Sequence, residues 1–380
     1  MDRRTFLRVA LGGIAGSVAY ARVARRCGSA AWAAGECVGH PPPAYSIIPV
    51  VGDGKWIWRD PPERTGYLEP RPYEVEVGVE FQGTGPALQL RATTTAPTEH
   101  PEQRIDDVRV EALGCEAALR ELAPGAGQLM LAAPRIEAGQ IVRAVARYRV
   151  TLFKHYHGYQ RDQFPYAQTV PPDVRRAYLG RSPGIETDSP EVRRLAAQWS
   201  SGLTHPWEIA EQFARCVPEH IEARIGRYTS VTTALRQRVG DCEERSATFV
   251  ALCRAVGIPA RLVWVPNHNW AEFYLTDRDG QGHWIAAHTS CYSWFGWVGA
   301  HELVLQKGDR IHVPERRRQF RLLEDWASWV GSRPHVRWTA ALRPLPMEGS
   351  DDAGPGARWK DDKGEWVLIG EHPDDRYLRR

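Results

Sequence analysis

From Tyr73 the chain alternates: "YEVEVGVEF" sets Val75, Val77, Val79 and Phe81 against Glu74, Glu76 and Glu80. Successive side chains of a strand point to opposite faces, so the stretch folds well only as a strand with one face in a core and one in water. The same period recurs in "ALQLRATTT", "RIDDVRVEAL", "QLMLAAPRI" and "QIVRAVARYRVTLFKHY", separated by Gly, Pro and acidic turns. Such a succession predicts an antiparallel β-sandwich over residues 71–170.

The period then becomes helical. "SPEVRRLAAQWSSGL" opens with Ser189 as a cap, Pro190 at the first helical position and Glu191 in the first turn. "HPWEIAEQFARCVPEHI" places Ile209, Phe213 and Cys216 on one stripe. Strands return at "ARLVWVP", "NWAEFYL" and "HWIAAHTS". The expected fold class is α+β: the N-terminal antiparallel β-sandwich, then helices packed on an antiparallel sheet over residues 175–345. Near the end of that unit "EDWASWVGSRP" reads as a short amphipathic helix, and "VPERRRQFRLLEDW" as a solvated basic helix or strand end. Residues 34–70, rich in Pro and Trp without a sustained period, read as an extended linker or strap. Residues 346–380 read as a polar tail, a flexible loop before a last short strand.

The first 33 residues have another character. "DRRTFLRVALGG" pairs Arg3 and Arg4 with Phe6 and Leu7 ahead of a weakly apolar, Gly- and Ala-rich run. This resembles a twin-arginine export signal, which implies export and a periplasmic location. Two cleavage sites fit, Ala31-Trp32-Ala33 and Ala19-Tyr20-Ala21, and an uncleaved anchor is the alternative. The run is too short for a membrane span, so no stable membrane insertion is expected after cleavage. A net charge of +3 gives no footprint for nucleic acid.

Chemistry is concentrated at "GDCEERSATFVALCRAVGIPAR". Asp241 can cap a helix whose first turn holds Cys242, where unpaired backbone amides and the helix dipole favour a thiolate. Cys253, deep in the apolar face of the same helix, reads as packing. The seven cysteines show no C-x-x-C pair, so neither structural zinc nor a thioredoxin-like site is indicated. A set of Cys291, His288 and His268 lacks a fourth ligand, and the acidic tail residues lack calcium-loop spacing, so no metal and no cofactor are expected. A nucleophilic Cys needs a base brought near in space, and "NHNWAEFYL" offers His268 at the start of a strand.

The order of "GDCEERSATFVALCRAVGIPAR", "NHNWAEFYL" and "HWIAAHTS" resembles the transglutaminase-like superfamily, and the preceding helices resemble those of its exported bacterial members. The resemblance covers about residues 175–300. It implies a papain-like core in which Cys242 is the nucleophile and His268 the general acid/base. The third position departs from the pattern: counting from Trp284, His288 stands where the family has an orienting Asp. A neutral His accepts a hydrogen bond but brings no charge; Glu272 or Asp277 are the other candidates for that role. The oxyanion would be held by the Cys242 amide and one side-chain donor, with Trp207, Tyr228 and Trp270 as candidates. "CYSWFGW" (291–297) either lines a groove or folds onto the sheet. The resemblance implies a peptide or protein substrate and acyl transfer through a Cys thioester, with hydrolysis favoured over cross-linking. The alternative is a catalytically degenerate domain that binds peptide or cell-envelope glycan.

Overall fold

The computed structural model describes residues 58, 60–224, 226–266, 268–289 and 294–346, with two short strands near the end of the chain. The expected signal segment (1–33), most of the strap and most of the tail lie outside the described residues. Six strands come first: β1 (Gly66–Gln82), β2 (Ala87–Ala96), β3 (Gln103–Leu113), β4 (Glu116–Ala123), β5 (Ala126–Ile136) and β6 (Ile141–Tyr156). β4 was not foreseen, because "EAALRELA" has Ala and Leu at helix-compatible spacing; its pairing with β5 decides its form. In β1 the alternation acts as expected. Tyr73, Val75, Val77, Val79 and Phe81 are buried, each contributing ~1.5–3 kcal/mol of apolar burial. The outward Glu76 and Glu80 pair across strands with Arg147 and Arg337 at 3.0 and 2.9 Å.

Five helices follow: α1 (Pro172–Tyr178), α2 (Pro190–Trp199), α3 (Pro206–His220), α4 (Val231–Gln237) and α5 (Cys242–Ala255). The two-residue strands β7 (Glu222–Ala223) and β8 (Val239–Gly240) flank α4 and pair in parallel. Ser189 caps α2 as expected, its hydroxyl accepting from the Val192 amide. The buried stripe of α3 is Trp207, Ala210, Phe213, Ala214 and Val217. Of the expected stripe only Phe213 is fully inside; Ile209 is partly buried against the core, and Cys216 instead accepts a hydrogen bond from Gln212. α5 packs on β9 (Ala260–Val265) and β10 (His268–Thr276), and β11 (Gly282–Ala287) extends that sheet. Cys253 is buried in this interface, as read from the sequence. The fold class is α+β.

The remaining strands correct the sequence reading. After β12 (Trp297–Val298), β13 (Gln306–Lys307) pairs with β9 on one side and with Ala126 of β5 on the other. One sheet therefore runs β11-β10-β9-β13-β5-β2 and continues from the helical core into the sandwich. β14 (Ile311–Val313) and β15 (Arg318–Phe320) form a hairpin carrying the basic run. The expected helix at "EDWASWVGSRP" is instead β16 (Trp326–Gly331), laid on β2, and β17 (His335–Pro344) returns along β1. The reason is the partner: both β1 and β2 offer unpaired edges, and a Trp- and Val-rich segment followed by a Gly-Ser-Arg-Pro turn satisfies them. The last stretch of the unit expected at 175–345 thus completes the sandwich. The strands β18 (Arg358–Trp359) and β19 (Leu368–Ile369) pair with each other. Among the described residues no helix is long and apolar enough to cross a membrane.

Buried charge pins the junction. The Lys307 ammonium bridges Glu102 and Glu272, and Arg261 holds the other oxygen of Glu272 at 2.6 Å. Below α5, Arg254 pairs with Asp309 at 2.8 Å with both side chains fully enclosed, and also donates to the Ala260 carbonyl. Breaking one partner of such a pair strands the other charge, so these contacts fix the position of β13 and of the C-terminus of α5.

Candidate active site

α5 begins with a reciprocal cap. Asp241 Oδ1 accepts the Glu243 amide at 2.9 Å, and Glu244 Oε2 accepts the Asp241 amide at 3.0 Å. Gly240 makes this possible: a Cβ there would stand 2.5 Å from the Glu244 Cβ. Cys242 follows as the first helical residue, half-buried. The helix start does not produce the expected thiolate. Burial raises the thiol well above its ordinary range, and the carboxylates of Asp241 and Glu243 raise it further; the Asn269 backbone amide at the sulfur pulls the other way. Burial, with the carboxylates of the N-cap Asp241 and of Glu243 and Glu244 in the first turn, outweighs the partial charge of the helix end, so Cys242 rests as a thiol.

His268 opens β10 and is buried. Its Nε2 lies 2.9 Å from Nε2 of His288, which follows β11. The Trp294 ring stands edge-on to His288 at 5.1 Å. Burial, and then His288, push His268 well below the usual imidazole range, while burial lowers His288 to about 4. Both rings are therefore neutral at neutral pH, and across the short contact one Nε2 donates while the other accepts. The backbone carbonyl of His288 favours a proton on its own ring. The Nδ1 atoms of both rings are buried without a hydrogen-bond partner among the described residues; in the tautomer with the His288 proton on Nδ1, His288 accepts at Nε2 and His268 donates. The Nδ1 of His268 then carries a lone pair. The thiol sits against the backbone amide of Asn269, the residue after His268.

The other candidates are placed elsewhere. Glu272 is committed to Arg261 and Lys307. Asp277 holds the β10–β11 turn, accepting from the Asp279 and Gln281 amides and pairing with His283 at 2.7 Å. Neither substitutes for the missing family Asp. Trp207 stacks on Phe164 at 5.6 Å inside the helical core. Tyr228 donates its hydroxyl to the Gly184 carbonyl at 2.6 Å and is covered by the Arg321 guanidinium. Trp270 is buried with its indole N–H toward Glu302. Among the described residues no hydrogen bond runs from any of the three to the thiol. Cys291, on which the metal alternative depends, lies outside the described residues. Of "CYSWFGW", Phe295 stacks on Phe273 at 5.3 Å and Trp297 pairs with Tyr156, so its described part folds onto the sheet.

Residues 193–289, which contain Cys242, His268 and His288, match the model of the transglutaminase-like superfamily. This segment is a transglutaminase-like core. A solved structure of a proposed cysteine protease from Cytophaga hutchinsonii superposes with a TM-score of 0.50 at 15% identity, covering 74% of this chain and 93% of that one. It shows that the arrangement of sandwich and transglutaminase-like core is shared. A proposed protease from Parabacteroides distasonis ATCC 8503 aligns over 59% of this chain and 44% of its own, at 12% identity and a TM-score of 0.24. A 65-residue stretch is 32% identical to the peptide-N(4)-(N-acetyl-beta-glucosaminyl)asparagine amidase of Yarrowia lipolytica (strain CLIB 122 / E 150), covering 17% of this chain. The match spans 18% of that relative. The transglutaminase-like core thus has protease-like and amidase-like neighbours.

Proposed function

We propose that the protein is a cysteine hydrolase of peptide or carboxamide bonds, acting through an acyl-thioester on Cys242. The observation that carries this reading is the His268–His288 contact, one residue along β10 from Asn269, whose backbone amide touches the thiol. The His268 ring itself makes no hydrogen bond to the thiol among the described residues and would have to turn toward it. His268 Nδ1 takes the thiol proton as sulfur attacks the carbonyl carbon. The tetrahedral intermediate collapses by breaking the C–N bond, and the amine leaves with the proton from His268. Water then attacks the thioester, His268 takes its proton, and the C–S bond breaks to free the carboxylate and restore the thiol. His288 holds the ring in the productive tautomer without supplying charge; loss of an orienting anion costs on the order of 10⁴ in rate in a comparable triad. The amidase- and protease-like neighbours favour an amide as substrate, and water is always present as acceptor. The protonated thiol and the uncharged third position favour the second reading, a domain that binds peptide or glycan without turnover.

The two readings separate on a small acyl donor. With p-nitrophenyl acetate, Cys242 should gain an acetyl group, seen as a p-nitrophenolate burst and by peptide mass spectrometry, and His268→Ala should slow the burst about 10²–10⁴-fold. A wild-type chain that acquires no acetyl group at Cys242, or one indifferent to the loss of His268, would leave only the binding reading.

A further inference from the structure

We infer that Asn269 is the side-chain donor of the oxyanion hole, acting together with the backbone amide of Cys242; the inference rests on the acyl-transfer reading above. Of the donors suggested by the sequence, Tyr228 is spent on Gly184, and neither Trp207 nor Trp270 makes a hydrogen bond to the thiol among the described residues, which leaves room for another partner at Cys242. Asn269 is the second residue of β10, and strand alternation turns its side chain to the face that packs against α5, together with Ala271, Phe273 and Leu275. Those three are apolar, as the interface requires; Asn269 alone among the four is polar, and it stands at the end nearest the first turn of α5. Two contacts fix it there. Its carbonyl accepts from Ser246 Oγ, one turn into α5, and its amide lies at the Cys242 sulfur.

The side chain is 1% exposed, yet neither Oδ1 nor Nδ2 has a hydrogen-bond partner among the described residues. A buried polar group left in that state costs ~1–3 kcal/mol, and an apolar residue like its neighbours would avoid the cost. Nδ2 carries two N–H donors. The backbone amide of Cys242 is also available, because the Asp241 side chain takes the amides of Glu243 and Glu244. Attack by sulfur turns the substrate carbonyl oxygen into an anion, and these two donors would meet it only then. The consequence falls on the rate of acylation and not on substrate binding.

The test compares two reactions of the same thiol in the full chain. Iodoacetamide alkylates sulfur by displacing iodide from a saturated carbon, with no oxyanion; p-nitrophenyl acetate acylates it through a tetrahedral oxyanion. In Asn269→Ala and Asn269→Leu, alkylation of Cys242 should proceed as in wild type while acylation falls about 10²–10³-fold, with the melting temperature unchanged or raised. Acylation at the wild-type rate in both variants would overturn the role of Asn269 and leave Cys242 as nucleophile. Parallel loss of both reactions, or a lowered melting temperature that accounts for the slower acylation, would make Asn269 a packing residue. A wild-type chain that alkylates but never acylates would overturn this inference and the acyl-transfer reading together.

Discussion

At the scale of single residues, the decisive substitution is His288 for the family Asp. In the proposed mechanism a neutral imidazole orients His268 but cannot stabilise the imidazolium that would form when His268 takes the thiol proton. His288→Asp puts a carboxylate at the acceptor position of the His268 Nε2–H. The acylation rate should rise by about tenfold or more, since the orienting anion is worth up to about 10⁴ in comparable sites. The acid limb of the pH–rate profile should move up at the same time, because an adjacent carboxylate raises the His268 pKa. A variant that folds yet acylates no faster would show that the His pair does not limit the reaction. The place of Cys242 at a helix start and the approach of His268 to His288 were legible because spacing relative to a glycine turn and two tryptophans survives in sequence. Asn269 and the protonation of Cys242 were not, because they depend on which side chains close around the sulfur.

At the scale of elements, the cap of α5 combines two effects that the sequence could not separate. Asp241 stabilises the helix as its N-cap and, through its charge, opposes ionisation of the next residue; burial remains the larger cause of the raised thiol. Asp241→Asn keeps a good cap and removes the charge, so stability should stay within about 0.5 kcal/mol. The midpoint of the pH dependence of Cys242 alkylation should fall. No fall would assign the raised thiol to burial alone. Strand alternation made β1, β2, β3, β5, β6 and the core strands readable from their own residues. β16 was not, because "EDWASWVGSRP" is short and its form is set by the open edges of strands more than two hundred residues earlier.

At the scale of the molecule, titrating groups are enclosed where sandwich and core meet. His155, His288 and His301 are each lowered to about 4, chiefly by burial, whereas Glu302 is raised to about 8 by burial. The histidines take up protons in the unfolded chain first, so their contribution is complete above pH ~6.5 and is lost as pH falls toward 4. Glu302 has the opposite sign: the folded chain keeps its proton up to about pH 8, the unfolded chain only to about 4.5, and stability declines as pH rises between them. Stability should therefore peak near pH ~6.5. Glu302→Gln should remove the decline above that point, worth about 2 kcal/mol between pH 6.5 and 8, as read by urea unfolding at both pH values. A decline that persists in the variant would point to another group.

The return of β16 and β17 to the sandwich also sets an order in time. During synthesis β1 and β2 emerge early, but the strands that cover their edges are made only after the whole transglutaminase-like segment. Until then the growing chain carries two exposed β-edges, which invite pairing with other chains. The segment bearing Cys242 is an insertion between the two halves of a sandwich, and the sandwich closes only once that segment has been made.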